Sequence, residues 1–123
     1  YFYRAIKLDG AFTDNFGNYG DFESSVTIVM KQGKIYRVDF SNKYIFQNNQ
    51  MIFMEGKREE GGKGTGVGKA IIIAADNSFK NLLDSKCVYS IKYFNDTFFS
   101  LIKCKVNNDA VERLKNIKEI ANE

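Results

Sequence analysis

Cys87-Val-Tyr-Ser-Ile-Lys-Tyr-Phe94 and Thr97-Phe-Phe-Ser-Leu-Ile-Lys-Cys104 are two runs rich in aromatic and β-branched residues, separated only by Asn95-Asp96. A two-residue Asn/Asp loop tolerates the positive φ of a type I′ turn, so the pair reads as a β-hairpin. Counting outward from the turn pairs Phe94 with Thr97, Tyr93 with Phe98, Ile91 with Ser100, Tyr89 with Ile102 and Cys87 with Cys104. Rungs alternate between hydrogen-bonded and non-hydrogen-bonded, and the cysteine rung falls on the second kind, where side chains approach most closely. A cross-strand disulfide Cys87–Cys104 is therefore sterically reasonable, with two reduced, packed thiols as the alternative. The same count places Cys87, Tyr89, Ile91, Tyr93, Phe98, Ile102 and Cys104 on one face, the expected core face, with Ser90, Lys92, Thr97 and Lys103 opposite. Asn95-Asp96-Thr97 also matches the N-glycosylation sequon, which turn chemistry explains equally well.

Working outward, Gln32-Gly33 separates Ser24–Lys31 from Lys34–Phe40 as a second two-residue hairpin. Asn48-Asn49 reads as a third, pairing Ile45 with Ile52 and Phe46 with Met51. Residues 1–8 alternate like a strand and end at the turn signal Asp9-Gly10. The mixture of Gly, Asn, Asp and aromatics over 10–21 reads as a loop whose Phe12, Phe16 and Tyr19 are free to stack on a ligand or to tuck over a barrel end. Asp14, Asn18, Asp21 and Glu23 lack the spacing of an EF-hand, and no metal is expected. The Gly-rich run 56–68 fails both phosphate-binding patterns: Lys63 and Ala70 stand where a P-loop needs Gly and Ser/Thr, and Lys69 where a dinucleotide fingerprint needs Gly. It reads as a flexible surface loop ahead of the strand Ala70–Ala75. Asp76-Asn77-Ser78 is placed to cap a short helical turn. Asp109 and Glu112 have capping-box spacing, and Ala110, Leu114, Ile117 and Ala121 form an apolar stripe, predicting a helix over about 109–122 that covers an end or edge of the sheet.

The chain of 123 residues, 44% hydrophobic and 15% aromatic, suits one domain spanning 1–123 with a single core. Net charge is +3, with no concentrated basic stripe in the linear sequence, so no nucleic-acid partner is expected. No apolar run reaches the length of a transmembrane helix. The chain contains no His and no Trp. Without His there is no Ser-His-Asp or Cys-His pair and no HExxH site, which removes most hydrolase and metalloenzyme mechanisms. A start without Met reads as a processed or trimmed product.

The economical architecture is an antiparallel meander of seven to eight strands, curled into a barrel or strongly bent sheet, with the C-terminal helix packed on it. In outline this resembles calycins of the lipocalin kind, although their early Gly-x-Trp is missing. It also resembles pleckstrin-homology-like modules, whose strand-and-helix order residues 24–122 follow without the typical helix Trp. Three functions follow as expectations. The first is a non-catalytic, exported binding domain without a cofactor, using an apolar interior or the aromatic loop; its candidate residues are Phe12, Phe16, Tyr19, Tyr89, Tyr93 and Phe98, and its partner a small apolar ligand or a protein. The second is a protein- or lipid-surface module using Lys31, Lys34 and Arg37 around the second turn. The third is an enzyme relying on carboxylates alone. A disulfide would favour an extracytoplasmic location, secreted or periplasmic.

Overall fold

The computed structural model describes residues 1–61 and 65–117, with side chains at 59–61, 65–66 and 93 outside the description. Seven strands, β1 (Phe2–Thr13), β2 (Tyr19–Lys31), β3 (Lys34–Phe46), β4 (Met51–Gly61), β5 (Thr65–Ala75), β6 (Lys86–Phe94) and β7 (Thr97–Lys105), form one antiparallel sheet in sequence order. The β6–β7 hairpin has the expected register on every rung, from Phe94↔Thr97 to Cys87↔Cys104. Of the two turn residues only Asn95 takes positive φ (54°), the conformation Asn tolerates, so the turn is not the expected type I′, which needs positive φ at both. At the β2–β3 turn both Gln32 (53°) and Gly33 (79°) do so, as a type I′ turn requires.

The third turn is one residue longer than its sequence suggests. Phe46 N–H donates to the Gln50 carbonyl (2.9 Å), Asn49 N–H donates to the Phe46 carbonyl (2.8 Å), and Asn49 has φ 64°. These are the marks of a three-residue loop ending in a left-handed residue. The extra residue shifts the register, so Tyr44 pairs with Ile52 and Ile45 with Met51. Because side chains alternate, the shift puts Ile52 and Met54 on the same face as Tyr44 and Phe46, and all four are buried there.

Two expected loops are strands. β1 continues through Asp9-Gly10 to Thr13, leaving only 14–18 as the connection to β2. Most of the Gly-rich run is likewise paired: Lys57 lies opposite Asp39 and Lys69, and Val67 opposite Ser90. Residues 62–64 lie outside the described set. Gly56 and Gly68 lie in the ladder with rings occupying the space that a Cβ would take. A Cβ on Gly56 would stand 2.2 Å from Phe40 Cζ, and one on Gly68 would stand 2.3 Å from Tyr89 Cε1. Those two rings meet edge to face at 4.6 Å, whereas on a flat sheet β3 and β6 would lie about 14 Å apart. Phe22 and Phe98 stand 6.2 Å apart, across a β2-to-β7 span of about 24 Å if flat. The sheet is therefore curled into a half-barrel with its apolar face inward. One inward row, Ile6–Val26–Phe40–Gly56–Ala70–Cys87–Cys104, crosses all seven strands.

One end is closed by a 3₁₀ segment (Asn77–Leu82) and helix α1 (Asn108–Lys115), which bury Phe79, Leu82, Ala110 and Leu114. The cap of α1 is Asn107, whose side chain accepts from Ala110 N–H at 2.8 Å; Asp109 lies inside the first turn instead of capping it. The helix ends at Asn116, short of the expected extent, and 118–123 lie outside the described residues. Asp76 binds the neighbouring strand, accepting from Met51 N–H at 2.8 Å, and makes no side-chain cap.

Candidate functional site

Most of the predicted ligand-binding aromatics pack against other side chains of the fold. Phe12 meets Tyr44 (5.3 Å) and Phe46 (4.9 Å), Tyr44 meets Phe22 (5.3 Å), and Phe22 meets Phe98, giving a continuous layer of rings on the inward face. Tyr89 is buried against Phe40, and Phe16 packs half-buried on the core. Tyr19, at the start of β2, is exposed. Tyr93 is described by its backbone pairing with Phe98 alone. Phe12 and Phe98 sit at opposite ends of the ring layer, and Tyr89 pairs with Phe40.

The 14–18 connection is ordered by its polar residues. Asp14 Oδ1 accepts from the N–H groups of Phe16 (2.8 Å) and Asn18 (2.9 Å). Buried Asn18 donates to the Leu114 carbonyl (2.7 Å) and accepts from Gln47 Nε2 (2.8 Å), tying the loop to α1 and to the end of β3. These bonds satisfy groups that would be costly to bury unpaired, and they hold the aromatic loop against the closed end.

The inward face also carries a small polar row. Ser24 donates to Asn42 Oδ1, and Asn42 Nδ2 donates to the Tyr44 hydroxyl at 3.2 Å. Burial pushes the Tyr44 phenol up to about 12, against a smaller lowering by the Asn42 bond.

The large concavity lies on the other face. A groove of about 1160 Å³ crosses from β2 to β7 over the polar side of the sheet. Its floor is the backbone of the row Phe40–Gly56–Ala70–Cys87–Cys104, whose side chains point inward. The rows on either side form its walls, Lys57–Lys69–Val88–Lys103 along one and Glu55–Ile71–Lys86–Lys105 along the other. Five lysines thus line the groove, against two acids, Asp39 and Glu55. Asp39 is engaged by Arg37 at 2.7 Å. Among the described residues, Lys69, Lys86, Lys103 and Lys105 form no ion pair. The groove is more positive than a smaller concavity of about 450 Å³ beside it, which carries mixed charge, with Lys43 paired to Glu23 at 2.6 Å. The Lys43 ammonium, with a lesser effect of Lys7, holds the Glu23 carboxyl below its ordinary value.

The basic turn expected at Lys31, Lys34 and Arg37 is partly occupied within the fold. Lys31 lies over the rings of Tyr1 (5.5 Å) and Tyr36 (5.9 Å), and Arg37 is paired with Asp39. The groove lysines were legible only in part. Lys86, Lys103 and Lys105 alternate visibly in the cysteine hairpin, but Lys57 and Lys69 are concealed in a run whose glycines suggest a loop.

Cys87 and Cys104 are joined in a disulfide, with Cα atoms 4.0 Å apart, the narrow spacing of a non-hydrogen-bonded rung. No helix among the described residues is long and apolar enough to cross a membrane. Comparisons with protein-family models, with curated proteins and with solved structures return no match to this chain.

Proposed function

We propose that this is a non-catalytic binding domain of an extracytoplasmic compartment, and that it recognises an anionic partner on the lysine-walled groove. The observation that carries this reading is the convergence of Lys57, Lys69, Lys86, Lys103 and Lys105, from four adjacent strands, on one groove. The aliphatic stems of Lys69, Lys86, Lys103 and Lys105 supply apolar contact while their ammonium groups remain hydrated, which suits an extended polyanion laid across the strands. The inward face supports this choice because its rings pack on one another at the contacts described. A non-catalytic role is supported by the lack of His and by the use of both cysteines in a structural bond. The disulfide supports placement outside the reducing cytoplasm.

The test is binding of the oxidised chain to heparin, used as a generic polyanion, over a salt series. Affinity should collapse near 1 M salt, where the Debye length is about 3 Å. Lys69→Glu with Lys103→Glu should weaken binding by more than about tenfold, at roughly 1 kcal/mol or more per reversed charge. Equal affinity of this variant and the wild-type chain would refute the assignment.

A further inference from the structure

We infer that the anionic partner of this face is the surface of a phospholipid bilayer bearing acidic headgroups. The inference rests on the reading of the groove as an anion-binding surface and adds the apolar groups beside it. On the same polar face, next to the groove, β5–β7 expose Val67 (72%), Val88 (49%), Phe94 (66%), Phe99 (64%) and Leu101 (60%). The register makes them one patch. Val67 and Leu101 flank Ser90 on one rung, Lys92 faces Phe99 on the next, and Phe94 stands beside the Asn95-Asp96 turn. Lys69 and Lys103 flank Val88 on the rung toward the groove.

A soluble polyanion satisfies the lysines and leaves two phenyl rings and a leucine in water. A bilayer satisfies both. Exposed side chains beside the hairpin turn enter the boundary between headgroups and acyl chains, while lysine stems bring their ammonium groups to the level of the phosphates. The arrangement is that of a peripheral contact: apolar side chains at the tip, with Lys69, Lys92 and Lys103 beside them and the groove lysines behind. Asp96, in the turn itself, is the acidic group of this corner and limits how deeply the tip enters.

The decisive experiment sediments the oxidised chain with vesicles of equal parts phosphatidylglycerol and phosphatidylcholine, and with phosphatidylcholine vesicles alone, alongside the heparin titration. The acidic vesicles should be bound and the neutral ones not. Phe99→Ser with Leu101→Ser alters exposed positions only, and circular dichroism checks that the fold persists. This variant should bind acidic vesicles at least about tenfold more weakly while its heparin affinity is unchanged. Lys69→Glu with Lys103→Glu should lose both, with vesicle affinity falling about 30-fold or more. Unchanged vesicle affinity in the Phe99/Leu101 variant would overturn the bilayer inference, as would heparin binding with no vesicle binding by the wild-type chain. A stable dimer that the same variant dissociates would assign the patch to a second copy and also overturn it. If the chain binds neither heparin nor acidic vesicles, the groove reading falls as well.

Discussion

The β6–β7 and β4–β5 hairpins are neighbours in one sheet and are held together in different ways. The first carries its own constraints: a turn of two residues, complete pairing between its strands, and a disulfide across its far end. The second has glycines where the first has β-branched residues and aromatics, and what fixes it comes from outside. Phe40 on β3 covers Gly56, and Tyr89 on β6 covers Gly68, so the rings that pack this hairpin belong to the strands flanking it. Glycine weakens a strand on intrinsic grounds. Here its missing Cβ is what allows two rings to meet across two intervening strands and the sheet to curl. A residue that reads as flexible in isolation thus acts as a socket in the folded chain.

The comparison makes predictions of graded size. Replacing both cysteines, Cys87→Ala with Cys104→Ala, removes the local constraint and should lower the free energy of unfolding by about 3 kcal/mol in urea. A cost under about 1 kcal/mol would show that the β6–β7 hairpin depends on its neighbours as much as the other does. Alkali loads the ring-packed side without a mutation. The folded pKa of Tyr44 is raised to about 12 from the ordinary tyrosine value of 10.0, so its contribution is fully present below pH 10 and is lost as pH rises through 12. That loss should approach roughly 2–3 kcal/mol. A Tyr44→Phe variant should show a flatter alkaline limb; an identical limb would remove Tyr44 as its cause.

Gly68→Ala should destabilise by about 2 kcal/mol, because the new methyl meets both the Tyr89 ring and the Lys57 carbonyl. Tyr89→Leu in the same chain should restore part of that loss, and strict additivity of the two changes would deny the socket. Native-state amide exchange bears on the same point, since Lys57 and Lys69 amides should be protected as ladder members and not exchange as a loop. The smallest effect is expected at the β6–β7 turn. Asn95→Ala, placing a Cβ without a polar partner at φ 54°, should cost about 1 kcal/mol in thermal unfolding.

How much was legible follows the range of each interaction. The cysteine hairpin could be read rung by rung because its turn, alternation and disulfide all lie within 18 residues. The β3–β4 register could not. Asn48-Asn49 is compatible with a loop of two or three residues, and the choice depends on which face Ile52 and Met54 must share with Tyr44. The candidate site divides in the same way. Alternating lysines are visible in β6 and β7, but their alignment with Lys57 and Lys69 needs strand pairing that the glycines obscure. Phe94, Phe99 and Leu101 stand on the face that also holds Ser90 and Lys92, and only the finished sheet shows them exposed together.

From sequence alone came the antiparallel meander, the closing helix, the cross-strand register that sets Cys87 opposite Cys104 and the exclusion of His-based chemistry, because turn preferences, side-chain alternation and residue identity act over a few positions. Tertiary structure alone decided that the curl stops at a half-barrel, the conversion of most of the Gly-rich run into paired strands, the mutual packing of most of the predicted ligand-binding aromatics and the assembly of the lysine groove. Each of these depends on side chains that meet across several strands, and local propensity carries no information about contacts made only when the sheet bends.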